Sequence, residues 1–96
     1  TRILLVASPE YLNKHRIPAQ PSDLAQHNCI YYPRGTVSPK WSFQYKESAR
    51  AIETVFIKGM FAANNSEVMR DAAINDLGIA MLPDFSVRDA IASGKL

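Results

Sequence analysis

With 96 residues, 47% of them hydrophobic and 21% charged, the chain has the composition of one globular unit with a modest core, and no apolar run approaches the roughly 20 residues of a membrane span. Its eleven Lys and Arg leave a net charge of +2 and are scattered from Arg2 to Lys95 without a run or a stripe, which argues against this segment itself gripping a phosphate backbone. The single cysteine, Cys29, excludes an internal disulfide, and its neighbours Ile30 and Tyr31 mark a buried thiol.

The apolar run Ile3-Leu4-Leu5-Val6-Ala7 reads as a strand covered on both faces. Ser8-Pro9-Glu10 then starts a helix: Ser8 is a good N-cap, Pro9 has its dihedral preset for the first turn, and Glu10 complements the positive helix end. Tyr11, Leu12 and His15 form its short amphipathic face, and Ile17-Pro18 ends it. Residues 22–27 predict one short helical turn, Cys29–Tyr32 a strand, and residues 33–40 an exposed loop.

Trp41-Ser42-Phe43-Gln44-Tyr45 alternates aromatic with polar residues, so it predicts a half-buried strand whose aromatic face packs on the core. A stacking platform for nucleic acid would need a basic groove as well, which the sequence lacks. Residues 46–50 turn the chain, and Ile52, Val55, Phe56 and Ile57 complete a hairpin with a five-residue connection. Gly59 separates this strand from a short one at Met60–Ala63.

The chain is organised around residues 64–83. Asn64, Asn65 and Ser66 can each cap a helix whose apolar positions Val68, Met69, Ala72, Ala73 and Leu77 recur at helical spacing, with Gly78 as its stop. Ile79-Ala80-Met81-Leu82 follows as a buried strand closed by Pro83. Phe85, Val87, Ala90 and Ile91 predict a last helix stopped by Gly94. Strands alternating with helices around one inserted hairpin indicate an α/β fold with a mostly parallel sheet. A helix start presents unpaired N–H groups and a positive dipole end, so residues 64–66 stand where a small anion would be held.

Leu5-Val6-Ala7-Ser8-Pro9-Glu10-Tyr11-Leu12, then Pro21-Ser22-Asp23-Leu24 and His27, Trp41-Ser42-Phe43, Asn64-Asn65, Gly78 through Pro83 and finally Gly94-Lys95-Leu96 occur in an order that resembles the effector-binding domain of LysR-type transcriptional regulators over essentially the whole chain. The resemblance implies a single Rossmann-like lobe of the type 2 periplasmic-binding-protein kind. It would be the second of two lobes that hold a small effector between them, with the crossovers to the first lobe at the two chain ends, neither of which reads as a natural terminus. The helix-turn-helix domain and first lobe are absent from the sequence, so DNA binding is implied for the parent protein alone. A cytoplasmic parent assembled as a dimer or tetramer is implied too, with no cofactor and no membrane.

Carried over residue by residue, the resemblance puts Asn64, Asn65 and Ser66 in the effector cleft, together with Tyr31 and Tyr32 at a strand end, Arg34 in the following loop, Ser8, and Pro83. Each has a plainer reading. Asn64 and Glu67 fit a capping box, Arg34 a solvated surface charge, Ser8 a simple N-cap, and Phe85, beyond Pro83, a core aromatic. Two bulky tyrosines at the strand end favour a smaller or aromatic-stacking effector. His15 and His27 have no metal-binding spacing to Cys29, and neither a nucleophile elbow nor a phosphate-binding glycine motif occurs. The alternative reading is a lobe of a transport-type solute-binding protein; an enzyme of the same general fold would need a catalytic group that the sequence does not supply.

Overall fold

A computed structural model describes residues 2–31, 40–45, 48–62 and 65–96, and within these the side chains other than those of residues 44, 45, 48–51 and 60–62. In chain order the elements are β1 (Ile3–Val6), α1 (Pro9–His15), a 3-10 turn (Pro21–Gln26), β2 (Asn28–Tyr31), β3 (Lys40–Tyr45), β4 (Ser48–Phe56), β5 (Lys58–Ala62), α2 (Ser66–Ile74), β6 (Ile79–Pro83) and α3 (Asp84–Ala92). A four-stranded sheet has the order β1-β6-β2-β5, and β3 and β4 form a separate two-stranded sheet. In the larger sheet β2 runs parallel to both β5 and β6, while β1 is antiparallel to β6. The result is the expected α/β lobe with a mostly parallel sheet, flanking helices and an antiparallel hairpin.

The sheet separates two apolar layers. Val6, Ile30, Ala80 and Leu82 pack on one face against Met69, Ala72 and Ala73 of α2 and Val87 of α3. The alternate residues Cys29 and Ile79 pack on the other face with Tyr11, Leu24, Val55 and Ile57, and Trp41 and Phe43 lie against that layer. This side-to-side alternation is the period-2 geometry of strands. Burial raises the Cys29 thiol pKa to about 11, with an opposing hydrogen bond from the Lys58 backbone. No helix among the described residues is long and apolar enough to cross a membrane.

Four sequence readings change. Strand β1 is not covered on both faces, because it is a sheet edge: Leu4 and Val6 face α2 and α3, whereas Ile3 and Leu5 are 59% and 41% exposed. The hairpin connection is shorter than five residues, since Tyr45 already pairs with Ser48. Gly59 lies inside β5 rather than ahead of it, at a bulge where Asn28 pairs with Lys58 and Ile30 with Phe61.

The fourth change is at the end of α2. The helix stops at Ile74, before Gly78, and it is Asp76 that takes the left-handed conformation, at φ 68°. The Leu77 N–H bonds the Ala72 carbonyl at 3.1 Å and the Asp76 N–H the Ala73 carbonyl at 3.2 Å, which is a Schellman motif closed without glycine. Gly94 does end α3 as expected, at φ 82°, with Lys95 N–H on the Ala90 carbonyl at 2.9 Å and its own N–H on Ile91 at 3.2 Å.

Candidate functional site

Because β2, β5 and β6 are parallel, their C-terminal ends share one sheet edge. Tyr31 and Pro83 stand on that edge, and α2 starts just beyond β5, so Asn65 and Ser66 belong to the same side of the lobe. Open α/β sheets bind ligands outside the carboxyl ends of their strands, which makes this side the candidate binding face. Tyr32, Arg34 and Asn64 lie outside the described residues.

Asn65 is the N-cap of α2. Its Oδ1 accepts the N–H groups of Glu67 at 2.7 Å and Val68 at 3.2 Å. With Asn65 as the cap, Glu67 is the second helical residue, where its carboxylate complements the positive helix end. The cap has a chemical consequence as well. The Asn65 amide oxygen already sits where an anion's oxygen would sit, so a ligand on this helix start meets the exposed Ser66 and the Asn65 amide, not an open ring of donors.

Pro83 ends β6 paired with Ile3 and is also the N-cap residue of α3, where its carbonyl accepts the Ser86 hydroxyl at 2.7 Å. Next to it the structure corrects the reading of Phe85 as core. On a helix residues 85 and 87 are about 200° apart, so burying Val87 turns Phe85 outward, and it is 65% exposed. Phe85 instead walls a groove of about 780 Å³ between α2 and α3, together with Asn65, Ser66, Arg70, Ser86 and Asp89. The spacing of Phe85 from Val87 already carried that signal. Tyr31 is half-buried and packs toward the Tyr11 and Leu24 side of the sheet.

Ser8 is not on this face. Strand β1 runs antiparallel to β6, with Val6 opposite Ala80, so Ser8 emerges at the opposite sheet edge. There it is 3% exposed; its Oγ accepts the Tyr11 N–H at 3.0 Å and donates to the Asp76 carboxylate at 2.5 Å. Ser8→Ala is expected to cost about 1–2 kcal/mol, the value of a buried cap, while leaving ligand affinity at the α2 start unchanged. Urea unfolding and ligand titration of the same variant check the two halves of that statement. Among the described residues no group of three or more His, Cys, Asp or Glu is placed to hold a metal ion.

The family described as the LysR substrate binding domain matches residues 1–96. Among curated proteins the chain is 34% identical to one described as "Probable HTH-type transcriptional regulator LtrA" of Klebsiella pneumoniae, over 99% of this chain and 30% of that protein. Among solved structures it superposes on the regulatory domain of CrgA, a LysR-type transcriptional regulator from Neisseria meningitidis, with a TM-score of 0.77 at 33% identity, covering 98% of this chain and 44% of that one. The regulatory domain of AphB from Vibrio vulnificus gives a TM-score of 0.80 at 32% identity, covering 97% of this chain and 44% of that one. These relatives are regulators rather than enzymes, and the chain spans about 30% of the length of the curated proteins it matches. With the family matched from end to end and the fold shared with these regulatory domains, the chain belongs to the LysR substrate-binding domain family.

Proposed function

We propose that the chain is the second lobe of the effector-sensing domain of a LysR-type transcriptional regulator, and that it supplies one wall of a cleft for a small anionic metabolite. The observation that carries this reading is the capped start of α2, which lies on the C-terminal side of the parallel strands and shares a groove with Phe85. Coverage of 44% of the CrgA and AphB regulatory domains supports a one-lobe assignment. In this reading Asn65, Ser66, Tyr31 and Pro83 form the wall.

In this reading the parent is a cytoplasmic oligomer that binds DNA through a separate helix-turn-helix domain. An effector that prefers the closed cleft shifts the lobes toward it, and its leverage equals the difference between its affinities for the two forms. The transport-type alternative is less well supported, because the relatives are named as regulators.

Ser66→Asp in the two-lobed regulatory domain tests the wall. A carboxylate in the first turn complements the helix dipole, so folding stability is expected to hold or rise slightly. Affinity for an acid effector is expected to fall at least about tenfold through like-charge repulsion, read by calorimetric titration. Unchanged affinity would remove the α2 start from the site.

A further inference from the structure

At the sheet edge opposite Pro83, a second cavity of about 620 Å³ is lined by Tyr11, His15, Gln26, His27, Lys58 and Asp76. Tyr11 is 3% exposed and His27 7%. The Tyr11 oxygen accepts the Asn28 N–H at 3.1 Å, and the same hydroxyl stands 2.9 Å from His27 Nδ1. Which of the two donates is set by the imidazole tautomer. With the hydroxyl as donor, neutral His27 carries its proton on Nε2.

Charged and titratable groups approach His27 from every neighbouring element. Helix α1 brings Tyr11 and His15, whose ring stacks on Tyr11 at 4.5 Å, and the 3-10 turn brings Asp23. Cys29 follows on β2, Lys58 lines the cavity from β5, and Asp76 lines it from the turn after α2 with its carboxylate held by Ser8. Burial, reinforced by His15 and opposed by Asp23, holds the His27 pKa below its usual range. Burial likewise raises that of Tyr11, against the Asn28 N–H, which lowers it.

We propose that the Tyr11 hydroxyl donates to Nδ1 of neutral His27 and that this pair is a proton-operated latch, fastening α1 and the 3-10 turn to the start of β2. The latch is closed while His27 is neutral. A proton on Nδ1 makes two donors, its own N–H and that of Asn28, converge on the Tyr11 oxygen, and it takes away the acceptor of the tyrosine O–H. The contacts beyond the latch reach α2. The Asn28 side-chain amide donates to the Leu77 carbonyl and Ser8 to Asp76, both in the turn that ends α2. Proton uptake at His27 thus bears on the far end of the helix whose start forms the effector wall; only this last link rests on the proposed function.

A histidine whose folded pKa is lowered contributes stability that is present above its unfolded value of about 6.5 and lost as pH falls toward the folded value. Across that window the unfolding equilibrium constant is expected to rise by up to about tenfold per pH unit. The test is an NMR titration of the chain from about pH 8 to 4.5, following both imidazoles and the Asn28 and Leu77 amides, with urea melts over the same range. The expected result is a His27 midpoint below about 6.5, shared by the Tyr11 ring and both amides. His27→Gln keeps an acceptor for the tyrosine hydroxyl but cannot titrate, so it should lose this component of the acid sensitivity, whereas His15→Gln, which removes only the lesser cause of the lowering, should keep most of it. A His27 midpoint at or above about 6.5, or an Asn28 amide that ignores it, would overturn the latch even if His27→Gln failed to fold. So would a His27→Gln chain with undiminished acid sensitivity.

Discussion

Replacing Gly59 with alanine is expected to abolish the cooperative fold or cost more than about 4 kcal/mol, beyond the usual range for single substitutions. Gly59 sits in β5 at the bulge against β2, and a Cβ placed there would lie 1.8 Å from the Cys29 carbonyl oxygen and 2.8 Å from its carbon. Those are backbone atoms of an inner strand, so no rotamer change relieves the clash. Strand β2 would have to part from β5, and with it the layer that holds Cys29 and Ile57. Against a total stability of about 5–15 kcal/mol for a domain, little would remain. Thermal melting followed by circular dichroism reads the outcome. A Gly59→Ala chain within about 0.5 kcal/mol of the parent would contradict the pairing of β5 on β2.

Leu82→Ala is expected to cost about 3–5 kcal/mol. Leu82 is 1% exposed on β6, the strand paired on both sides, and packs in the layer with Val6, Ile30, Met69 and Val87. Truncation removes its transfer energy and leaves a cavity that two helices and a sheet cannot easily close. Ile52→Ala is the contrast: that side chain is 65% exposed on the hairpin, and its loss should move stability by no more than about 0.5 kcal/mol. Urea midpoints at constant slope separate the two; equal effects would mean that the β6 layer is not the core.

Much of this architecture is legible in the residues. Ser8-Pro9 starts α1, Gly94 stops α3, and the run Ile79–Leu82 is the central strand, because each signal acts over only a few residues. What escaped depends on long-range partners. The run Ile3–Val6 looks fully buried until β1 is known to be an edge, and strand direction, which the run does not encode, is what sends Ser8 to the edge opposite Pro83. Gly59 reads as a separator because its need for glycine comes from Cys29, thirty positions away in sequence. Asp76 hides the end of α2, since the left-handed position there carries an aspartate that is fastened by Ser8. For the candidate face, the resemblance points to Asn65 and Ser66, but only helix geometry turns Phe85 outward to join them in one groove.

Titration of small carboxylic acids tests most directly whether this lobe forms half of a cleft. Amide shifts would be followed in this chain alone and in the two-lobed regulatory domain of its parent. An acid effector is expected to bind the two-lobed domain with shifts at Asn65 and Ser66 and to bind the isolated chain at least about tenfold more weakly. Equally tight binding to both would contradict it.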